Sequence, residues 1–316
     1  MTDERRPAVP GVDADKPTEI PATGWWQVIR RAWAEAKADQ VPLLAAGVAF
    51  FSFLSLFPAL VAAVLAYGLV ADPAQIRDQV KDLAASMPAS GRDLLLQQLD
   101  ALMSAPRQGL GIGVAIAVIA ALWSASGGVG YLLTAVNLAY DEEETRGFMR
   151  RKLLALGMTL GAIVFVLLAI ALLAAGAAIG NEVATPVRIL LEAARLVLAV
   201  VLITVALAVT YRLGPDRDAP RIRWVSTGAV VATVVWLIAS IGFSIYVETF
   251  GNYAKTYGSL AAVVVLMLWL WLTAYAVLLG AEINAEAEQQ TARDTTKEEP
   301  RPIGRRNAVK ADSVPQ

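Results

Sequence analysis

The chain contains no cysteine and no histidine among its 316 residues. The first absence excludes disulfides, thiolate nucleophiles and the usual iron–sulfur ligation. The second removes imidazole acid–base catalysis and the commonest zinc ligand. Carboxylates and carbonyls remain as metal ligands, a set suited to magnesium, calcium or manganese. No grouping of them fixes a ligand geometry, so neither a metal nor a cofactor is expected. A Walker-type phosphate loop is also missing. Charge is scarce: 17% of residues are charged against 57% hydrophobic, with a mean hydropathy of +0.54. The central parts of the apolar runs hold no Asp, Glu, Lys or Arg. A proton- or sodium-coupled carrier usually keeps a carboxylate there, so that mechanism loses ground.

What is present is six long apolar runs, enough to override the two-domain prior that the length alone would set. The expected fold is all-α, a polytopic membrane protein with six transmembrane helices. The spans are placed at about 42–69, 109–137, 152–180, 187–211, 224–250 and 260–284, within a membrane domain of residues 24–288. Residues 24–40 carry Trp25, Trp26, Ile29 and Trp33 at helical spacing, the pattern of an interfacial amphipathic helix. The polar stretches 1–23 and 289–316 read as disordered tails, and no cleavable leader is expected. Asp72–Ala105 reads as two amphipathic helices in the first outer loop, covering the bundle or forming a lid. Twenty of the 27 Lys and Arg fall on the side of the chain ends, which places both termini in the cytoplasm.

Several constellations stand out. Pro58 marks a kink, with Ser52 and Ser55 upstream to bond carbonyls that the proline frees. Trp123, Ser124, Ser126, Gly127 and Gly128, with Gly130 beyond, interrupt an apolar run that leaves the membrane at Asn137. Glycine exposes backbone, so at membrane depth this stretch either lines a path or packs closely on another helix. A charged block follows, with Asp141, Glu144, Arg146, Arg150, Arg151 and Lys152. It is read as a topology-setting cluster that pairs with Arg212, Arg217, Arg221 or Arg223, or holds anionic lipid headgroups. Tyr253, Lys255, Tyr257 and Gly258 form an outer turn that either gates a path or anchors the interface, and Glu282 and Asn284 lie at the inner end of span six. The pairs Gly157–Gly161 and Gly176–Gly180 have the spacing of close helix packing.

Three stretches resemble the YihY/BrkB family of bacterial inner-membrane proteins: LLAAGVAFFSFLSLFPALV (43–61), LWSASGGVGYLLTAVNLAYDEEETRGFMRRK (122–152) and YAKTYGSLAAVVVLMLWLWLTAYAVLLGAEINAE (253–286). The resemblance covers about residues 24–288 and implies six spans in the cytoplasmic membrane. Its motif residues fall here on Ser55, Phe57, Pro58, Trp123, Ser124, Asn137, Glu144, Arg146, Tyr257, Gly258, Trp269, Gly280, Glu282 and Asn284. The family has carried the names virulence factor BrkB and ribonuclease BN, and it implies no catalytic residue. The expected function is a transporter or lipid- and solute-handling protein of the envelope, not an enzyme. The alternative is a non-transporting scaffold for envelope assembly. Ribonuclease activity is not expected. Membrane lipids are the expected partners, with an anionic lipid or small solute as substrate and no nucleic acid. A path of this kind requires a polar cavity shared by Ser55, Ser124 and Asn137.

Overall fold

A computed structural model describes residues 9–70, 110–178, 185–249, 259–296 and 299–315. The outer segment 72–105, the turn with Tyr253, Lys255, Tyr257 and Gly258, and the pair Gly176–Gly180 lie in whole or part outside the described residues. Among the described residues, seven α-helices follow a short 3-10 turn at Pro17–Glu19. They are α1 (Ala22–Ala38), α2 (Val41–Val70), α3 (Leu110–Ala139), α4 (Phe148–Ala178), α5 (Thr185–Leu213), α6 (Ile222–Thr249) and α7 (Ser259–Gln289). The last six are long and apolar enough to cross a membrane. Helix is the form such runs take because it satisfies every backbone polar group within the segment. Large apolar side chains stand on their outward faces, Leu190 and Ile238 each being about two-thirds exposed, as suits a hydrocarbon surrounding.

Helices α2 to α7 close a ring. Neighbours run α3–α2–α7–α6–α5–α4 and back to α3, with α7 also touching α3. The apolar core lies toward one end of that ring, where Val41, Ala45, Val136, Tyr211, Ala229, Leu278 and Ala281 are buried together. Small side chains bring the helices close there. A methyl on Gly280 would collide with the Tyr211 hydroxyl and with Ala232 Cβ, and one on Gly228 would meet Asn284. Asn284 uses that contact, accepting the Gly228 N–H at 2.7 Å and donating to Val225 O at 3.3 Å.

The same end carries the described parts of both tails, and for these the structure corrects the expectation of disorder. Residues 9–20, 290–296 and 299–315 fold over the helix ends. Ala292 N–H donates to Val12 O at 2.7 Å, and Gln290 Nε2 donates to Pro10 O at 2.8 Å. The Arg306 guanidinium donates to the carbonyls of Ala292, Arg293 and Ala311. Composition predicted disorder because these segments bury few apolar groups. What orders them is saturation of backbone carbonyls by buried cations. Helix α7 therefore continues to Gln289, past the predicted end at 284, with Glu286 and Glu288 wholly buried.

Helix α1 docks through the small-residue stripe Gly24, Val28, Ala32 and Ala36. Trp26, Ile29 and Trp33 stay exposed on another face. That division matches an amphipathic helix with its aromatic face free for the interface. Trp25 departs from the predicted stripe: its indole N–H donates inward to Pro17 O at 3.3 Å.

Candidate functional site

The stretch from Trp123 to Gly130 does not interrupt its helix. Helix α3 runs unbroken from Leu110 to Ala139, and α2 runs unbroken through Pro58. The small residues instead serve two faces. Gly128 turns to α2: its N–H donates to Ser55 Oγ at 2.9 Å, and an added Cβ would lie 3.0 Å from Ser52 Cα. Phe51 and Tyr131 stack on the same seam with centroids 3.4 Å apart. Ser55 thus joins α2 to α3, in place of the predicted bond to a carbonyl of its own helix.

The other face carries residues 123, 126, 127, 130 and 134, which recur at helical spacing on one side of α3. Of these, Ser126, Gly127 and Gly130 form with α4 a groove of about 260 Å³. Ser126, Gly127 and Gly130 are its floor, while Tyr131, Phe148 and Ala155 are its walls. Two cations from the start of α4, Arg151 and Lys152, reach into it. Lys152 Nζ donates to Trp123 O at 2.7 Å and sits 4.7 Å from the centre of the Trp123 ring. The Arg151 guanidinium donates to Thr134 Oγ1 and, at 3.3 Å, to Gly130 O. Ser126 Oγ donates to Trp123 O at 2.8 Å.

The predicted cavity shared by Ser55, Ser124 and Asn137 is not formed among the described residues. Ser55 is in the α2–α3 seam, Ser124 is exposed, and Asn137 belongs to a knot beyond the groove. In that knot Asn137 donates to Glu144 Oε2 at 2.9 Å and accepts the Asp216 N–H at 2.7 Å. Arg146 pairs with Glu144 at 2.6 Å and donates to Gly214 O at 2.9 Å. Thr145 donates to Asp216 through both N–H and hydroxyl, at 2.7 and 2.6 Å. The charged block therefore ties to the α5–α6 loop through Asp216, where the sequence reading named that loop's arginines. Arg217 goes instead to Glu288 at 2.6 Å and lies over the Tyr140 ring. Arg150 is exposed on α4.

Electrostatics follow from these contacts. The Arg146 bond holds the Glu144 carboxyl below its ordinary range. Burial would raise Asp216, yet the bonds from Thr145 and Arg146 outweigh it and hold that carboxyl low. Glu142 is pushed up by burial, and its carboxylate accepts the Val309 N–H at 2.8 Å. Lys310, from the C-terminal segment, enters an acidic hollow. It pairs with Glu286 at 2.7 Å, Asp141 at 2.9 Å and Glu35 at 3.4 Å. Burial works against its charge, and those partners overcome it, raising its affinity for the proton. Glu286 also receives Arg31 at 2.5 Å. Among the described residues, Glu282, 1% exposed, has no hydrogen-bond partner on either carboxyl oxygen. Among the described residues no acidic grouping has the geometry to hold a metal ion.

The sequence reading missed three things here. Gly130 shares a helical face with Ser126 and Gly127, whereas Phe148, Arg151 and Lys152 join the groove only through the packing of α4 on α3, which no spacing within either run announces. Asp216 and Lys310 gain their roles from tertiary contacts that no local pattern announces. Gly157 and Gly161, expected to pack, face open space: nothing lies within 4 Å of an added Cβ at either.

Residues 32–304 match the family model described as virulence factor BrkB. The chain belongs to the BrkB family. Among relatives of this BrkB-family protein is YfkH of Bacillus subtilis (strain 168), whose name describes it as ribonuclease-like. It is 32% identical over 246 residues, 76% of this chain and 87% of YfkH. A UPF0761 membrane protein of Alteromonas mediterranea is 35% identical over 98 residues, 31% of this chain and 33% of that protein. Another, from Tolumonas auensis, is 41% identical over 66 residues, covering 20% and 22% of the two chains. No solved structure matches. Six apolar helices and this kinship make the chain a multi-pass bacterial membrane protein.

Proposed function

We propose that this BrkB-family protein is a transporter or lipid- and solute-handling protein of the bacterial envelope, not an enzyme. Its terminal end faces the cytoplasm, and its solute enters the groove between α3 and α4. One observation carries the reading: a groove with a small-residue floor and two cations lies between α3 and α4 on a lateral face of the bundle. A charge on such a face costs free energy unless it serves a ligand or reaches the headgroup layer. The name ribonuclease-like, given to YfkH, finds no support in the residues here.

The test fills the groove. Gly130 has open space where a side chain would go, so Gly130→Leu occupies the floor and leaves the α2–α3 seam intact. Purified protein in vesicles is assayed for movement of fluorescent amphiphiles by quencher accessibility. The reading expects movement above protein-free vesicles and its loss in Gly130→Leu, with unfolding behaviour unchanged. Equal movement in the variant contradicts it.

A second reading, a non-transporting assembly scaffold, is favoured by the open face at Gly157 and Gly161, which leaves a partner helix room for close approach. Crosslinking in native membranes that captures no protein through α4 counts against it.

A further inference from the structure

We propose that the groove between α3 and α4 is a binding site for an anionic phospholipid, its phosphate held between the Arg151 guanidinium and the Lys152 ammonium. This rests on the reading of the groove as the solute's entry and names the chemistry that enters.

Consecutive helical residues diverge by about 100°, so neighbouring cations normally serve different surfaces. Here both side chains bend onto one face of α3. Lys152 reaches the Trp123 carbonyl and Arg151 the Gly130 carbonyl. Those acceptors are seven residues apart, roughly 10 Å along the axis at 1.5 Å per residue. Between them lie Ser126 and Gly127, on the same face and lining the same cavity. The two cations thus flank a floor of small residues with no bulky side chain. Among the described residues no carboxylate pairs with Lys152, and the nearest to Arg151 is Glu144, at 4.0 Å. The field in the groove is positive, and its complement is an anion.

The surroundings select a lipid over a free anion. Phe148 is 73% exposed beside the cations, and along α3 the same side continues through the exposed Trp123, Ile119 and Ile116. A ligand whose charge sits at Arg151 and Lys152 therefore finds apolar surface for an acyl chain immediately beyond. Anionic lipids gather at cytoplasmic-facing basic residues, each cation adding roughly fivefold to binding.

The experiment uses the full chain in nanodiscs of phosphatidylcholine containing a minor fraction of brominated phosphatidylglycerol or brominated phosphatidylcholine. Quenching attributable to Trp123 is isolated by difference from Trp123→Phe. The proposal expects stronger quenching by the anionic lipid, a preference that falls roughly fivefold in Lys152→Gln and is restored in Lys152→Arg. Equal quenching by the two lipids, or a preference indifferent to Lys152, overturns it. Competition by millimolar inorganic phosphate that abolishes the preference assigns the site to a soluble anion and also overturns it. Lys152→Gln is checked for an unaltered unfolding profile, and Lys152→Arg keeps the test valid if it fails that check. The two readings fail separately. Loss of amphiphile movement in Gly130→Leu without any anionic preference removes the lipid assignment and leaves solute handling, whereas a lipid preference without movement removes transport and leaves the site.

Discussion

Two glycines separated by one residue make opposite demands on the fold, and alanine at each should separate them. In a helix interior alanine is more favourable than glycine by roughly 0.5–1 kcal/mol, because less backbone entropy is lost on folding. At Gly130 nothing lies within 4 Å of the added methyl, so Gly130→Ala should realise that gain. At Gly128 the methyl would stand 3.0 Å from Ser52 Cα, 3.0 Å from Ser55 Oγ and 3.2 Å from Phe51 O. Two of those atoms are backbone and cannot swing aside, so α2 and α3 must part, at a cost of about 1–3 kcal/mol. The Gly128–Ser55 hydrogen bond weakens with them, worth about 1 kcal/mol more. The variants should therefore differ by roughly 2–4 kcal/mol, with Gly130→Ala the more stable. Equilibrium unfolding in mixed micelles, followed by tryptophan fluorescence, measures the difference. Adding Ser55→Ala to Gly128→Ala should recover part of the loss by removing one of the three clashes. If both single variants gain stability alike, the α2–α3 seam is not closed at Gly128 and the division of this stretch into a packing face and a groove face is wrong.

Further outcomes follow at the terminal end. Lys310→Met should cost roughly 3 kcal/mol, the low end for stranding a buried charge because Arg31 still holds Glu286, and should make residues 299–315 sensitive to protease. Glu282→Gln should shift stability by less than about 1 kcal/mol, because its carboxyl has no partner to lose; a large loss would reveal one. Asn137→Ala removes both bonds that join Glu144 to the Asp216 backbone and should cost about 2–3 kcal/mol, read as faster hydrogen exchange in residues 140–147 and 214–218. The same knot sets an acid limb. Glu144 and Asp216 are held below their ordinary values of 4.5 and 3.8, so their contribution is present above those values and disappears as pH falls through the lower folded ones. Glu142, pushed up by burial, acts in the opposite direction. Glu144→Gln with Asp216→Asn should flatten the net loss of stability below about pH 4, and an unchanged acid limb would place it elsewhere.

Much of the architecture was legible because apolar runs of this length admit few folds. Six helices appear where six runs stand, with ends displaced by a turn or so. The displacements have causes: α4 begins at Phe148, four residues early, so its basic residues lie in its first turns and reach across α3. The tails were not legible, because their order depends on Lys310 and Arg306 meeting carboxylates and carbonyls contributed by distant segments. The candidate site was half legible. Composition singles out Ser126 and Gly127, yet it points to partners inside the ring, toward Ser55 and Asn137. Periodicity alone places 123, 126, 127 and 130 on one face, but only the packing of α4 determines which face remains open. Glu282 and Asn284 illustrate the same limit. Two positions divide an amide that satisfies a backbone N–H and a carbonyl from a carboxyl with no partner among the described residues, despite similar sequence surroundings.

The central claim is that the solute binds in the lateral groove between α3 and α4 and not within the ring of helices. Its most direct test is photocrosslinking. The reconstituted protein is irradiated with an anionic phospholipid bearing a photoactivatable group near its headgroup, and the modified peptides are mapped by mass spectrometry. The account predicts labelling concentrated in residues 122–155 and strongly reduced by Gly130→Leu. Labelling spread evenly over the exposed faces of α5 and α6, or unchanged when Gly130 is filled, would contradict it.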